Sequence, residues 1–498
     1  MSRFQVIIPV LNAEKTLRHT LQTLADLPND NVSFLISNNS STDSTPDILE
    51  DFRARDSRFQ IIKTEQTLPL KDSLEFAMSQ STGDYLMVIG GDDGLYTGCI
   101  EVAEEALRQH PQAKAVAHRR SFLLWPDVPD HCGTPGFPPG GLRISAANTF
   151  DLRNAREDLR QQALSIIHCP TPAPYQGWVS KEIVNRIRSR VGRVFAHYVT
   201  DFWFASATGA ELDNAPYVFS GLPLSIGAYS AHSSALSFFS NTKSDAAEKK
   251  LSLELSTEKE NLVFTSKSAR GYRYEILKLV LQHWPNAPFT EREMDLNYVC
   301  GFWEEWKHRT SMPPEAAHQF AGSTEQFRQF IDRTAANAGL TDLIADLDRN
   351  YVFRGDNSAL WAKWGTSFQQ DADWAHDVCI DTRRLGCRNV HDVSKAMSVI
   401  IEAVQQAGES FAKIIANKRL AGGPKDSPAP SWESAGFAAI SKACADSLQP
   451  LQKDNRNLGR QVSKFNDSWR APKDAPWALK TGLSLARFLG RATGTLPK

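Results

Sequence analysis

The sequence predicts an α/β fold with a mostly parallel sheet, followed by an all-α C-terminal region. Over about the first 110 residues, β-rich runs alternate with segments whose apolar residues recur at helical spacing, which is typical of such a sheet. After Lys243, long helix-forming segments replace this alternation. We therefore expect three parts: an α/β domain over 1–243, a helical domain over 244–420, and a linker with a helical tail over 421–498.

Local signatures justify each element of the first part. Leu17, Leu21 and Leu24 recur at helical spacing and predict the first helix. Thr45-Pro46 combines an N-cap residue with a first-turn proline, so a second helix is expected to start there. Two further helices are expected over 70–79 and around 100–107. The predicted strands are 4–10, 32–36, 59–62, 84–89, 115–125 and 217–229.

Two stretches rich in glycine and proline interrupt these patterns. The first, 133–141, is either a linker or a mobile flap over a site, and strands resume beyond it. The second, 421–430, is predicted to be a linker.

The bulk composition excludes several classes of protein. A net charge of −1 gives no overall attraction to nucleic acid. No signal peptide is visible, and no stretch approaches about 18 uninterrupted apolar residues. Seven cysteines without paired zinc spacing indicate free thiols in a reducing compartment. We expect a soluble, cytoplasmic protein that does not bind nucleic acid.

The most informative segment is Gly90-Gly91-Asp92-Asp93, which directly follows the apolar run 85–89. Ligands of α/β sheets bind at the carboxyl ends of strands. Paired carboxylates at that edge suit Mg²⁺ or Mn²⁺, which bind through one or two carboxylates plus substrate phosphates. The alternative is a hairpin turn, because Asp93-Gly94 is also a strong turn dipeptide.

Four segments in this order resemble the inverting glycosyltransferases of family 2, which have the nucleotide-sugar fold called GT-A. The resemblance covers about the first 240 residues. The segments are VIIPVLNAE at 6–14, NNSSTD at 38–43, TGDYL at 82–86 leading to GGDD at 90–93, and Pro223-Leu224 with Tyr229 and His232.

The resemblance implies a metal site and a catalytic base. Asp92 would be the metal ligand, with Asp93 as its neighbour or second ligand. His232 would bind the same ion or the diphosphate, although a solvated histidine in its serine-rich loop is the alternative. Asp201 would be the general base for the acceptor hydroxyl, unless it or Thr200 only caps a helix.

The resemblance also implies where the nucleotide sugar binds. Three positions depart from the family pattern: Asn39 stands for the aspartate that contacts the base, Gly90 for the first aspartate of Asp-x-Asp, and Ser230 for a frequent arginine. Lys71 is expected as a basic nucleotide contact, or as a solvated surface lysine. The expected contacts of the nucleotide sugar are Pro9, Val10, Glu14, Asn39, Lys71 and Asp92.

The sequence thus predicts a metal-dependent inverting glycosyltransferase that uses a nucleotide-diphosphate sugar and the hydroxyl of a surface glycan or lipid-linked saccharide. A non-catalytic scaffold and a nucleotidyltransferase on a similar fold are the alternatives. The tail 470–498 carries Lys480, Arg487, Arg491 and Lys498 on one helical face. A basic helix of this kind is expected to contact an anionic surface at the inner face of a membrane, or else to pack on the helical domain.

Overall fold

The computed structural model describes residues 3–125, 127–128, 142–144, 150–165, 171–230, 269–311, 323–352, 357–364, 378–380, 388–395 and 397–398. Among these residues, no helix combines the length and apolar character that crossing a membrane requires. The predicted flap at 133–141, the linker at 421–430, His232 and the basic tail at 470–498 lie outside the described residues.

Strands and helices alternate through the first part of the chain, as the sequence predicts. The strands are β1 (Phe4–Val10), β2 (Val32–Asn38), β3 (Phe59–Lys63), β4 (Tyr85–Val88), β5 (Gly94–Leu95), β6 (Ala115–Leu124), β7 (Leu142–Ile144), β8 (Phe150–Asn154), β9 (Gly177–Ser180), β10 (Pro216–Tyr229) and β11 (Val378–Ile380). The helices are α1 (Leu17–Ala25), α2 (Thr45–Arg55), α3 (Leu70–Ser79), α4 (Cys99–Gln109), α5 (Ala155–Ser165), α6 (Lys181–Val191), α7 (Thr200–Leu212), α8 (Ala269–His283), α9 (Glu291–Thr310), α10 (Thr324–Asn337), α11 (Thr341–Asn350) and α12 (Ser358–Trp364).

One nine-stranded sheet, in the order β3-β2-β1-β4-β9-β6-β10-β5, organises the N-terminal part, and β8 pairs with β10. Strands β3, β2, β1 and β4 are parallel, and β6 is parallel to β10. Strands β5, β8 and β9 run antiparallel to their neighbours. The α/β class with mostly parallel strands is confirmed, followed by a helical region that also contains the short strand β11, paired with β7.

The start of α2 differs by one residue from the prediction. Ser44 is the N-cap and Thr45 the first helical residue, with Pro46 in the first turn. The side chain of Ser44 makes no capping bond, and the Asp43 carboxylate accepts from the Thr45 N–H at 3.0 Å instead. Asp43 therefore orders its own loop.

The helices after residue 268 pack directly against the sheet domain. Helices α8 and α9 share one hydrophobic cluster with α5, α6 and α7. Trp178 and Trp203 are fully buried in the protein core. The domain limits at 243 and 420 stay predictions. The packing of α8 on the sheet domain brings a helix of the C-terminal region close to the cavity described below.

A more distant segment, 388–395 with 397–398, packs on the other hydrophobic cluster of the sheet domain. Val390, Val393 and Met397 are buried there. Ser394 Oγ donates to the Leu95 carbonyl of β5 at 2.7 Å, and His391 Nε2 lies 2.7 Å from Asp26 Oδ2. The segment therefore packs against β5, the strand that directly follows Gly90–Asp93 in the sequence.

Candidate active site

A cavity of about 260 Å³ opens where β1 and β4 end. The carboxyl ends of parallel strands are where ligands of α/β proteins bind. The cavity is lined by the loop after β1, the turn after β4, the segment leading into α7, and Tyr272 of α8. Among the residues predicted from the sequence, the cavity brings together Pro9, Val10, Asp92, Asp93 and Asp201.

The turn Gly90–Asp93 is held in place by α1. Thr16 Oγ1 and Thr20 Oγ1 donate to the Gly91 carbonyl at 2.9 and 3.1 Å. A Cβ at Gly90 would lie 2.8 Å from Asp92 Oδ1, so glycine leaves the space that the carboxylates occupy. The hairpin alternative is wrong, because β5 pairs with β10 and does not return along β4.

Asp92 presents its carboxylate to the cavity. Its Oδ2 accepts from Ser230 Oγ at 3.0 Å, and its backbone carbonyl accepts from Trp125 Nε1 at 3.1 Å. Ser230 stands where the family pattern often has an arginine, and here its hydroxyl orients the carboxylate. The side chain is only partly buried and is thus accessible to a ligand.

Asp93 is buried and uses both carboxylate oxygens within the protein. Its Oδ2 accepts from the Gly90 N–H at 2.7 Å, and its Oδ1 accepts from the Ala228 N–H at 2.7 Å. Oδ1 also forms an ion pair with Arg120 Nη2 at 3.3 Å. These contacts tie the turn to β10 and β6, so the structural task of Asp93 is to fix the turn.

Arg120 is a cavity residue that the sequence reasoning missed. Its guanidinium lies over Gly227, where an added Cβ would come within 1.8 Å of Nε. It also lies 5.4 Å from the centre of the Tyr175 ring. The available signal was a charged residue inside the predicted strand 115–125, since a buried arginine requires a partner such as Asp93.

The loops after β1 and β2 are hydrogen-bonded to one another. Asn12 adopts a left-handed conformation with φ of 50°, which asparagine tolerates better than most residues. Its Oδ1 accepts from the Thr42 N–H at 2.8 Å. Glu14 is exposed and its Oε2 accepts from the Ser44 N–H at 3.2 Å. Glu14 thus contacts the second loop and does not line the cavity.

Asn39 and Lys71 also lie outside the cavity lining. The Asn39 side chain is buried: Nδ2 donates to the Leu68 carbonyl at 2.8 Å, and Oδ1 accepts from the Leu68 N–H at 2.9 Å. Asn39 therefore holds the loop after β3, and its contact with a base stays a prediction. Lys71 is buried at the start of α3, so the alternative of a solvated surface lysine is wrong.

Asp201 also lines the cavity, in the first turn of α7. Burial raises the pKa of its carboxyl, while the Phe202 N–H, which donates to Oδ1 at 2.9 Å, and the charge of Arg120 act to lower it. The N-cap of α7 is Val199, and neither Thr200 nor Asp201 occupies the cap position. The cap alternative is therefore wrong, and a carboxyl with raised pKa suits a general base.

The turn Gly90–Asp93 offers a divalent ion one accessible carboxylate, that of Asp92. Within the described ranges, no group of three or more His, Cys, Asp or Glu side chains is arranged to hold a metal. Mg²⁺ and Mn²⁺, however, are commonly bound by one or two carboxylates together with substrate phosphates. The accessible Asp92 carboxylate meets that requirement, whereas both oxygens of Asp93 already have partners.

The N-terminal part of the chain is similar to known glycosyltransferases. A family model described as glycosyl transferase family 2 matches residues 5–126. The putative glycosyltransferase EpsE of Bacillus subtilis (strain 168) is 23% identical over 206 residues, which cover 37% of this chain and 73% of that protein.

Solved structures are similar at low sequence identity. The crystal structure of S. aureus TarS 1–349 is 13% identical, with a TM-score of 0.44 over 71% of this chain and 93% of that one. The mannosyltransferase PcManGT from Pyrobaculum calidifontis, in complex with GDP-Man and Mn²⁺, is 14% identical, with a TM-score of 0.32 over 71% and 88% of the two chains.

The matched residues 5–126 contain the loop after β1 and the turn Gly90–Asp93, which both line the cavity. Residues 5–126 of this chain match glycosyltransferase family 2, and the protein is a glycosyltransferase.

Proposed function

We propose that the protein is a metal-dependent inverting glycosyltransferase that moves a sugar from a nucleotide-diphosphate sugar to a saccharide or lipid-linked saccharide hydroxyl. One observation carries this proposal: Asp92, in the turn after β4, and Asp201, in α7, line the same cavity. A single cavity with one accessible carboxylate at the strand ends and another of raised pKa offers separate positions for the leaving group and the base.

Inverting transfer requires in-line attack on the anomeric carbon. Asp201 takes the proton of the acceptor hydroxyl as the new C–O bond forms, and the bond from the anomeric carbon to the diphosphate oxygen breaks on the opposite face. The raised pKa makes Asp201 a stronger base than an ordinary carboxylate. Asp92, and His232 as the resemblance implies, would hold Mn²⁺ or Mg²⁺, which neutralises charge on a leaving diphosphate when bound.

Arg120 stabilises both the turn that carries Asp92 and the ionised form of Asp201. It neutralises the buried charge of Asp93, which keeps the turn and therefore Asp92 in place. Its charge also opposes the effect of burial on Asp201, so that this carboxylate is ionised over a wider pH range.

We further propose that the protein works in the cytoplasm at the inner face of a membrane, to which 470–498 would bind through its basic face. This would bring the cavity close to a lipid-linked acceptor. The rival proposal, a non-catalytic scaffold, would leave the cavity carboxylates of Asp92 and Asp201 without a task. The nucleotidyltransferase alternative differs in its product, because it would release pyrophosphate.

Binding of UDP and GDP, measured by calorimetry with Mn²⁺ and with EDTA, tests the metal assignment. We expect Asp92→Ala to abolish the Mn²⁺-dependent part of the affinity, because it removes the accessible carboxylate ligand. Asp47→Ala, which removes an exposed carboxylate from the first turn of α2, is the matched control and should bind normally. Unchanged Mn²⁺-dependent binding by Asp92→Ala would refute the assignment.

A turnover assay separates the three functions. UDP-GlcNAc, which a second S. aureus TarS structure contains, and GDP-mannose are the donors to try first. Release of nucleoside diphosphate supports glycosyl transfer, and release of pyrophosphate supports nucleotidyl transfer. Mn²⁺-dependent nucleotide binding without release of either product would support the scaffold.

A further inference from the structure

The strand β5, which directly follows the turn Gly90–Asp93, is only two residues long. Gly94 and Leu95 are both buried, and they pair with Ile226 and Ser225 of β10. A pairing of two residues offers few ladder hydrogen bonds, so other contacts must hold β5, and with it the turn, in place. These contacts come from helix α1 and from a segment that follows almost the whole of the described chain.

Helix α1 holds the turn and β5 through two threonines. Thr20 Oγ1 donates to the Asp93 carbonyl at 2.7 Å. Thr23 Oγ1 accepts from the Leu95 N–H at 3.2 Å. Helix α1 therefore binds the last residue of the turn and the amide of β5.

A segment of the C-terminal region also holds β5. It comprises residues 388–395 and 397–398 and is called the returning segment. Ser394 is buried, and its Oγ donates to the Leu95 carbonyl at 2.7 Å. Val390 is fully buried, and its Cβ lies 3.1 Å from the position that a Cβ added to Gly94 would take. Both residues of β5 are thus in contact with the returning segment.

The returning segment contacts α1 as well. His391 Nε2 lies 2.7 Å from Asp26 Oδ2, at the C-cap of α1. Ser398 Oγ donates to Thr97 Oγ1 at 3.2 Å, two residues after β5. The segment therefore contacts both the strand that follows the turn and the helix that holds the turn, although none of its described residues lines the cavity.

We propose that the returning segment is a positioning element of the donor site: by holding β5, Ser394 and Val390 keep Asp92 in the geometry that binds a nucleotide-bound metal ion. The consequence for Asp92 rests on the proposed function, whereas the support of the turn does not. Asp92 lies two residues before Gly94, and the groups of a binding site must be held to within about 0.5 Å of the productive geometry. Loss of a contact with β5 should therefore loosen the turn locally and weaken metal-dependent binding.

Hydrogen exchange followed by mass spectrometry tests the support of the turn without any ligand. In full-length Ser394→Ala, peptides that cover 90–95 should exchange about three- to tenfold faster than in the wild type, because a buried hydrogen bond to β5 is lost. Val390→Ala should act in the same direction through loss of packing. The urea midpoint of each variant, measured in parallel, distinguishes a local effect from global destabilisation.

A matched control exists for each variant. Ser81→Ala is the control for Ser394→Ala, because Ser81 is also buried and its Oγ donates to the Met78 carbonyl at 2.8 Å, outside the cavity lining. Val184→Ala is the control for Val390→Ala, because Val184 of α6 is buried in the other hydrophobic cluster. Both controls should leave the exchange of the turn peptides unchanged.

Nucleotide binding tests the consequence for the donor site. With Mn²⁺, Ser394→Ala should bind UDP or GDP about three- to tenfold more weakly than the wild type, because the metal ligand is less well positioned. The affinity that remains in EDTA should not change, and Ser81→Ala should bind as the wild type does under both conditions. A purely structural role of Ser394 would not lower the Mn²⁺-dependent part alone.

The proposal is overturned if both variants of the returning segment exchange at 90–95 as the wild type does, or if their controls accelerate this exchange as much. It is also overturned if exchange rises while the Mn²⁺-dependent affinity keeps its wild-type value, because β5 would then be held without any effect on Asp92. Absence of nucleotide binding in the wild type contradicts the proposed function alone, and the exchange rates then decide whether the returning segment supports the turn.

Discussion

Glu211 joins three helices, and replacing it tests how firmly the C-terminal helices are attached to the sheet domain. Its side chain is only 2% exposed. Oε1 accepts from Arg186 Nε of α6 at 2.7 Å, while Oε2 accepts from Arg190 Nε at 3.0 Å and from Trp284 Nε1 next to α8 at 2.8 Å. All three partners are donors, so the site requires an acceptor at both oxygens.

Glu211→Gln keeps the shape of the side chain but supplies only one acceptor oxygen. If that oxygen faces Arg190 and Trp284, the new amide group faces the Arg186 N–H, and one charge-assisted hydrogen bond is lost while two are weakened. A hydrogen bond to a charged group contributes about 1.5–3 kcal/mol. Because the arginines are 52% and 45% exposed and water can replace part of the loss, we expect a total of about 3 kcal/mol.

Urea unfolding followed by tryptophan fluorescence measures this loss. With a slope of about 3 kcal/mol per molar, the midpoint should fall by about 1 M. Glu182→Gln is the matched control: Glu182 is 53% exposed and pairs with Lys114 at 2.8 Å on the surface, so the change should stay within about 0.5 kcal/mol. A Glu211→Gln midpoint indistinguishable from that of Glu182→Gln would refute the reasoning.

The remaining predictions concern the cavity and the tail. Asp201→Asn should lower nucleoside diphosphate release by a factor of about 100 or more. Because the pKa of Asp201 is raised in the folded state, its ionised carboxylate destabilises the fold at neutral pH. At pH 7, Asp201→Asn should therefore unfold at the same or a higher urea concentration than the wild type, and a less stable variant would contradict this. The gain in stability should disappear once the pH is below the pKa of the carboxyl in the unfolded chain. Gly227→Ala should displace Arg120 and destabilise the protein by about 1–3 kcal/mol in the same urea assay. Gly209→Ala is the control: its added Cβ would meet the nearest atom at 3.6 Å, so this variant should be as stable as the wild type or more stable. Equal effects of the two substitutions would argue against the Arg120 contact. Deleting 470–498 should abolish sedimentation with anionic liposomes and leave transfer to a short soluble acceptor intact, and a truncated protein that still sediments would place membrane contact elsewhere.

Local patterns were sufficient to predict the sheet domain because each element there depends mainly on its own residues. The apolar run of β1 and the 70–79 helix appear where the spacing of apolar residues indicated. The glycine pair and the two aspartates predicted a turn at the end of a strand, because the apolar run and the polar residues that end it are adjacent in the sequence. The order of the four family motifs predicted the fold and the reaction class.

Long-range contacts decided the rest, because sequence spacing carries no information about which distant side chains meet. Asp92 and Asp93 are adjacent in sequence, yet only the packing of β10 and β6 shows that Asp93 is buried against Ala228 and Arg120 while Asp92 faces the cavity. Likewise, the sequence determined that a helical region follows the sheet domain. Only the tertiary structure decided that α8 packs on α7 and places Tyr272 beside Asp201, since burial of its apolar face requires a partner surface contributed by residues far away in the chain.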